Sequence, residues 1–375
     1  MKLKKVLSVF LASCMMLAFV GCSPSTESSS STTETKTETA ETADTTEKAE
    51  EPKQEETSGK LPKIGVTIYK YDDNFMTFTR NAIQAAADGK AELTMNDSQN
   101  DQAKQNDQVD TLIAKGVDGL IINLVDPGAA PTIAEKAKAA NIPVVFINKE
   151  YPDGTNNIGY DQTWYVGTNS AESGIIQGEL IIDAWKANPD WDKNGDSKIQ
   201  YVMLMGEPGH PDAEARTKES IATINAAGIE TEDLGTQTGM WDATKGKELM
   251  ETWLAAKGDG IEMVICNNDG MALGAVEALN AAGYFQGDKY MPVVGVDAIP
   301  EALELIKQGK MLGTVLNDPL NQGKAAVELA LNATQGKDIL EGTSWQLDDT
   351  LAVRVPYVAI TNDNLGVAEE AYGLK

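Results

Sequence analysis

Short, continuously apolar runs recur along residues 61–375, with stretches of helical periodicity between them. The runs are 64–68, 119–125, 144–147, 201–205, 263–266, 293–296 and 313–316. Continuous apolarity indicates strands that are covered on both faces, as in a parallel sheet. Helical patterns such as 107–115, 130–140, 270–282 and 300–308 lie between the runs. The alternation predicts an α/β fold, and the number of strands favours two doubly wound parallel-sheet lobes over one sheet.

Polar side chains follow the predicted strands. They are Asp73, Asp126, Asn148, Glu207, Asn268, Asp297 and Asn317. In open α/β sheets, ligands bind beyond the carboxyl ends of the strands. Carboxylates and amides suit a polyol there, because hydroxyl groups both donate and accept hydrogen bonds. Asp and Asn also cap helices, and for any one of these residues the sequence leaves both interpretations open.

Charge and histidine content exclude several classes of protein. The chain has 57 acidic and 31 basic residues, for a net charge of −26. Nucleic-acid binding needs a basic face, so nucleic acid is excluded as a partner, and the charge favours a freely soluble monomer. His210 is the only histidine. A histidine-based zinc cluster is therefore excluded, and no G-x-S-x-G nucleophile motif is present.

The N-terminus is predicted to be an address followed by a tether. Residues 1–22 combine three early lysines with an apolar run that ends at Cys22, which is typical of a signal peptide. The end of this run resembles a bacterial lipobox, although Phe19 replaces the usual leucine. The resemblance implies acylation of Cys22 and anchoring on the outer face of the cytoplasmic membrane. Residues 23–60 contain no aromatic or branched aliphatic side chain, so we predict a disordered tether.

Two aromatic residues and one charged pair are candidates for ligand contact. Phe75 and Trp241 each offer a flat apolar face, and a pyranose ring has an apolar C–H patch on each side. Taken alone, an aromatic residue of this kind is more often part of a core. Asp212 and Arg216 are four residues apart in a predicted helix, so they share one helical face. The alternative for this pair is a plain surface ion pair.

Residues 192–200 have the spacing of a calcium loop of the EF-hand type. Side-chain oxygens occupy positions 1, 3 and 5, a backbone carbonyl stands at position 7, and Gln200 stands at position 9. Ser197 replaces the usual glycine at position 6, and position 12 holds no glutamate. A bidentate carboxylate would therefore have to come from elsewhere in the chain. The alternative is a solvated turn.

Four long blocks resemble the bacterial galactose/glucose-binding protein family of sugar ABC transport and chemotaxis. They are IGVTIYKYDDNFM (64–76), MNDSQNDQ (95–102), GEPGHPDAEAR (206–216) and GTVLND (313–318), and the similarity extends through nearly all of 61–375. The resemblance implies a type I periplasmic binding protein fold with a three-segment hinge. The N-terminal lobe would be 61–168 plus 318–352, and the C-terminal lobe 169–317 plus 353–375.

The resemblance also implies a set of site residues and partners. The sugar-binding residues would be Asp73, Phe75, Asn148, His210, Asp212, Arg216, Trp241, Asn268, Asp297 and Asn317. Phe75 and Trp241 would stack on the ring, Asp73 would face the C4 hydroxyl, and Asp212 with Arg216 would face the anomeric end. The structural Ca²⁺ ligands would be Asp192, Asn194, Asp196, Lys198 by its carbonyl, Gln200 and Glu262. The implied partners are D-galactose or D-glucose, an ABC permease with its ATPase, and a chemoreceptor.

Three other functions are weighed against sugar capture for transport. A glycosidase needs two carboxyl groups across a scissile bond, one with a raised pKa, whereas several acids here are matched by Arg216, Asn and His. A sugar-responsive DNA-binding regulator shares the lobe architecture, but no basic helix-turn-helix precedes Leu61. A sugar-sensing lipoprotein that serves a membrane signalling receptor without transport is the remaining alternative, and the sequence does not separate it from transport.

Overall fold

A computed structural model describes residues 60–374. The predicted signal peptide, Cys22 and nearly all of the predicted tether lie outside the described residues. The strands are β1 Lys63–Ile68, β2 Glu92–Asp97, β3 Gly119–Asn123, β4 Val144–Ile147, β5 Thr163–Gly167, β6 Lys198–Met205, β7 Glu230–Thr238, β8 Met263–Cys266, β9 Val293–Val294, β10 Thr314–Leu316, β11 Ala352–Arg354 and β12 Val358–Ile360. The helices are α1 Asn74–Ala87, α2 Gln102–Ala114, α3 Ala130–Ala139, α4 Ser170–Ala187, α5 Pro211–Ala226, α6 Ala243–Lys257, α7 Asp269–Ala281, α8 Pro300–Lys307, α9 Pro319–Thr334 and α10 Leu365–Ala371.

The first lobe is built on a six-stranded parallel sheet in the order β2-β1-β3-β4-β5-β11. Successive strand residues point to opposite faces, and both faces are covered. In β3, Ile121 packs in a core layer with residues of α1 and α9, whereas Ile122 packs in a layer with residues of α2 and α3. This two-sided burial is why the strands appear in the sequence as unbroken apolar runs.

The second lobe repeats the arrangement on a smaller sheet. Its four parallel strands have the order β7-β6-β8-β9. Val202 and Met203, neighbours in β6, belong to opposite core layers, one with α6 and α7 and the other with α4 and α5. Strand β10 extends this sheet through parallel bridges beside β9 and pairs antiparallel with β12. The predicted fold class, two doubly wound α/β lobes, is confirmed.

The chain passes between the two sheets three times. The first crossing runs from β5 in the large sheet to α4 at the small one, and the second from β10 to α9, which packs on α1. The third joins β11 to β12. Backbone hydrogen bonding ties the first and third crossings together, because Val355 N–H donates to the Gly167 carbonyl at 2.7 Å. The lobe boundaries given above stay a prediction.

Helices α6 and α7 approach so closely that a glycine is required between them. A Cβ on Gly274 would lie against the backbone carbonyl oxygen of Ala243 and 2.8 Å from the backbone nitrogen of Lys247. Neither atom is the flexible end of a side chain, so the helices themselves would have to separate. In residues 60–374, no helix is long and apolar enough to cross a membrane.

We predict that Gly274→Ala lowers the free energy of unfolding by about 1–3 kcal/mol, because the extra methyl group overpacks the α6–α7 contact. Urea denaturation followed by circular dichroism measures this loss. Gly260→Ala is the matched control, since Gly260 has open space around its Cβ position and no positive φ angle. Equal stability of the two variants would contradict the inferred close contact.

Candidate functional site

A cavity lies where the carboxyl ends of the two sheets face each other. It is lined by Tyr69, Asp73, Phe75, Met76, Asn148, His210, Asp212, Arg216, Trp241, Asn268, Asp297 and Asn317. All ten residues proposed from the sequence therefore meet in one place, although they are spread over nearly 250 positions of the chain.

Asp73 is both a helix cap and a wall of the cavity. Its Oδ1 accepts the Met76 N–H at 2.7 Å, which caps α1, and its Oδ2 accepts the Tyr69 hydroxyl at 2.6 Å. Burial raises the pKa of Asp73, and the hydrogen bonds from Tyr69 and Met76 oppose that rise. The cap fixes the carboxylate, and each oxygen retains a lone pair for a ligand hydroxyl.

Asp212 and Arg216 form a buried ion pair, with Arg216 Nη2 at 3.1 Å from Asp212 Oδ2. Their side chains are only 5% and 3% exposed, so the surface-pair alternative is wrong. Asp212 Oδ1 also accepts the Ser170 hydroxyl at 2.5 Å. A buried charge of this kind is tolerated only when it is paired and hydrogen-bonded. The pair is thus a rigid, polar corner of the cavity.

His210 lies against this corner as a neutral ring. Its Nδ1 accepts the Asp212 N–H at 3.1 Å, capping α5, which leaves the proton on Nε2. Burial lowers the pKa of His210 to about 3, and the positive charges of Lys149 and Arg216 act in the same direction, while Asp212 opposes them. The ring is therefore a hydrogen-bond donor that stays uncharged at neutral pH.

The Trp241 indole has its place because Gly206 has no side chain. A Cβ at Gly206 would collide with the six-membered part of the indole. Trp241 also has a positive φ of 64°, as does Met240 before it, at 54°. Such backbone conformations are costly for non-glycine residues and persist where the surroundings enforce them. The indole is half-buried and meets the His210 ring edge-on, with centroids 5.0 Å apart.

Asp297 carries a second strained backbone, with φ at 124°. Its Oδ1 accepts the Asn317 amide at 3.1 Å, and Asn317 accepts in turn from Gln322 at 2.6 Å. Burial raises the pKa of Asp297 well above its usual range, while Arg216 opposes the shift. Asn268, which also lines the cavity, caps α7 through its Oδ1, which orients its amide. A ligand hydroxyl that donates to Asp297 would favour its charged form.

An ion pair outside the cavity joins the two lobes. Lys149 Nζ lies 2.6 Å from Glu207 Oε2, 2.9 Å from the Val125 carbonyl oxygen and 4.2 Å from the centre of the Tyr69 ring. Lys149 is 1% exposed. Glu207, identified in the sequence as a polar residue at a strand end, therefore contacts the other lobe rather than the cavity. Asp126 caps a short 3₁₀ turn instead.

Sequence reasoning missed two of the cavity-lining residues, Tyr69 and Met76. Both stand inside the block 64–76 that carries the resemblance. Tyr69 follows β1 directly, and its hydroxyl fixes Asp73. Tyr71 lies two residues further on, and nothing in the sequence distinguishes Tyr69 from an aromatic residue of the core. Met76 lies within α1, where an apolar residue predicts burial in a core and nothing more.

Residues 64–338 match the family model described as periplasmic binding protein domain. The chain belongs to the periplasmic binding protein family. It is 58% identical over 308 residues to the D-galactose/methyl-galactoside binding periplasmic protein MglB of Haemophilus influenzae, covering 81% of this chain and 91% of that protein. It is 32% identical to the ribose import binding protein RbsB of Bacillus subtilis over 277 residues, or 74% of this chain and 83% of that one.

Solved structures support the same fold. An ABC transporter solute binding protein from Bacillus halodurans C-125, solved with bound myo-inositol, matches with a TM-score of 0.70 and 31% identity. The match covers 84% of this chain and 100% of that chain. The type I periplasmic binding protein fold expected from the sequence is therefore confirmed.

The 192–200 loop folds around its first acid. Asp192 accepts backbone N–H groups of Gly195, Asp196 and Ser197, and Ser197 takes a positive φ of 65° where glycine is usual. Glu262 is 1% exposed and accepts the N–H groups of Lys193 and Gln200. In the described part of the chain, no three His, Cys, Asp or Glu side chains converge as a metal site.

One feature of this loop fits a cation nevertheless. Gln200 Oε1 is buried without a hydrogen-bond partner, and a buried orphan acceptor is costly. Oxygen donors from Asp, Asn, Gln and Glu are the ligands that Ca²⁺ takes. The chemistry of this set of oxygen donors therefore fits calcium. Glu262, the residue directly before β8, would supply the carboxylate from outside the loop.

We predict that His210 stays neutral down to about pH 4. Its folded-state pKa of about 3 lies below the usual value of 6.5. Between these two pH values, the unfolded chain therefore binds a proton at His210 and the folded chain does not. This contribution to the free energy of unfolding falls as the pH drops from 6.5 towards 3. Imidazole nitrogen shifts in NMR spectra report the titration of this single histidine. A midpoint near 6.5 would contradict the buried neutral ring.

Proposed function

We propose that this protein is an extracytoplasmic substrate-binding protein that captures D-galactose or D-glucose and delivers it to an ABC transporter permease. One observation carries the proposal: residues from both lobes, chosen from the sequence for sugar contact, line one small polar cavity. Its chemistry matches a pyranose, since carboxylates, amides, one guanidinium and one neutral imidazole line it together with Phe75 and Trp241. The similarity to a galactoside-binding relative supports the choice of hexose.

Capture works by closing the lobes around the sugar. Asp73 and Phe75 belong to the first lobe, and Asp212, Arg216 and Trp241 to the second. A hexose makes its full set of contacts only when both walls are present, so it binds the closed state more tightly and shifts the population towards it. The hydroxyl groups then satisfy acceptors and donors that closure removes from water.

The cavity holds a sugar without reacting with it. Asp212 is fixed by Arg216 and Ser170, and Asp73 by Tyr69 and the α1 cap. Each oxygen of these carboxylates thus accepts one orienting bond and keeps a lone pair for a hydroxyl group, which suits hydroxyl binding more than attack or proton transfer at a glycosidic bond. We therefore propose a binding protein and no enzyme. From the sequence we also propose that the protein is a monomer, that it is held at the membrane through Cys22, and that a chemoreceptor is a second partner.

We also propose that the 192–200 loop with Glu262 binds a structural calcium ion. The unpartnered Oε1 of Gln200 and the buried Glu262 support it. Asp192, Asn194, Asp196, the Lys198 carbonyl and Gln200 would supply the other oxygens. The ion would hold the turn before β6 against the start of β8, at the opposite end of these strands from the cavity. Its role is therefore stability rather than sugar contact.

We predict that Trp241→Ala weakens D-galactose and D-glucose binding by about 100-fold, since it removes one large apolar wall of roughly 3 kcal/mol. Asp73→Asn should cost about tenfold or more, because the amide donates where the carboxylate accepts. Isothermal titration calorimetry on the mature chain measures both. D-ribose, whose pyranose form has no hydroxymethyl group, should bind weakly to the unmodified protein.

Asp101→Asn is the matched control for Asp73→Asn. Asp101 caps α2 through the Lys104 N–H in the way that Asp73 caps α1, but it is exposed and lies outside the cavity. Hexose affinity should be unchanged in this variant. Unaltered hexose binding in Trp241→Ala and Asp73→Asn would contradict the proposed site.

We predict that a chelator lowers the melting temperature of the unmodified protein and that Asp196→Ala removes this response. The reason is linkage: an ion that binds only the folded chain stabilises it. Asp190→Ala, an exposed acid next to the loop, serves as control and should keep the response. A melting temperature that is insensitive to chelator would argue for the solvated-turn alternative.

A further inference from the structure

The hydroxyl of Tyr357 lies between the hinge and the charged corner of the cavity. Tyr357 belongs to the third crossing, between β11 and β12, and is 4% exposed. Its oxygen accepts from Thr168 Oγ1 at 2.8 Å and from Arg216 Nη2 at 3.0 Å. Thr168, also 4% exposed, belongs to the first crossing. One hydroxyl therefore connects two hinge segments with a cavity-lining guanidinium.

The remaining donors of Arg216 are almost all committed. Its Nε donates to Ser173 Oγ at 3.2 Å, Nη1 to the Asn267 carbonyl at 2.8 Å, and Nη2 to Asp212 at 3.1 Å. With the bond to Tyr357, four of the five guanidinium N–H groups have partners inside the protein. The fifth, on Nη1, is the one left for a ligand. The geometry of the other four decides where it points.

We propose that Tyr357 is a positioning residue for sugar binding. Its hydroxyl fixes the rotation of the Arg216 guanidinium, so that the free N–H faces the ligand, and it makes that orientation depend on the packing of the first and third hinge segments. This inference rests on the proposed function. It adds a residue that does not line the cavity and touches the sugar only through Arg216.

The chemistry of Tyr357 suits this role. Burial raises the pKa of Tyr357 to about 12, while Arg216 and the bond from Thr168 oppose the shift. The phenol is therefore neutral at physiological pH, and it acts as an acceptor of two hydrogen bonds instead of a counter-ion to Arg216. Phenylalanine would fill the same space and remove only that acceptor.

The test measures binding of two ligands by calorimetry. One is D-galactose, and the other is 1,5-anhydro-D-galactitol, which lacks the anomeric hydroxyl that the proposed site places next to Arg216. We expect Tyr357→Phe to weaken D-galactose binding by about tenfold and the anhydro compound by no more than about twofold. Thr168→Val, which removes only the second bond to the hydroxyl, should shift the affinities in the same direction by a smaller factor.

A spectroscopic measurement separates positioning from sugar binding. The chain contains three arginines, at 80, 216 and 354, so the side-chain NMR signals of Arg216 can be assigned by substitution of the other two. We expect slow, resolved Nη signals in the unmodified protein and faster rotation in Tyr357→Phe. Tyr160→Phe is the control, because it also removes one hydrogen bond of a buried tyrosine, the bond from the Tyr160 hydroxyl to the Ile142 carbonyl, away from the cavity.

Equal losses for the two ligands, or no loss for either, would overturn the inference, as would unchanged Arg216 signals in Tyr357→Phe. If the unmodified protein failed to bind D-galactose, the proposed function would fail instead. The Arg216 signals would still decide the positioning role in that case. Melting temperatures of all variants establish that each one is folded.

Discussion

Charged side chains are buried where the two lobes meet. Most of the site's arrangement follows from the hydrogen bonds and ion pairs that compensate for their lost hydration. Arg216 is compensated by Asp212, Tyr357, Ser173 and the Asn267 carbonyl. Asp73 and Asp297 are compensated less completely, and burial raises the pKa of both carboxyl groups. Hydroxyl donors of the proposed sugar would complete their hydrogen bonding. The cavity walls thus keep hydrogen-bond acceptors that a polyol could fill, and the rigid sheets hold those walls in position.

Short strand-to-helix connections position the cavity-lining side chains accurately. Asp73, His210 and Asn268 each cap the helix that follows them and line the cavity with the rest of the same side chain. The two interpretations of the polar strand ends are therefore not exclusive. A cap bond fixes the rotamer of a cavity-lining residue at no extra cost in side-chain entropy. Because each strand end contributes only one or two oriented groups, the site is spread over many strand ends.

The sequence predicted the buried strands and the cavity residues for different reasons. Runs such as 144–147 are apolar because both faces of the sheet are covered, so periodicity alone found them. The strands β2, β5, β7, β11 and β12 were not found. The edge strands β2 and β7 have no buried residue and contain many polar ones, and the other three are short segments of three to five residues. The cavity residues came largely through the resemblance, as Asn148 or Asn317 alone has no distinctive pattern. Tyr357 and Lys149 could not be found, because their roles depend on which segments the hinge brings together.

Lys149 and Glu207 form a contact between the two lobes that lies outside the cavity. The Lys149 ammonium is enclosed by the Val125 carbonyl, the face of Tyr69 and a carboxylate from the opposite lobe, and of these groups only Tyr69 lines the cavity. Separation of the lobes at this point would break the ion pair whatever the cavity contains, because neither Lys149 nor Glu207 lines it. Under the proposed function, a substitution at this ion pair would shift the balance between open and closed lobes while leaving the groups that line the cavity unchanged.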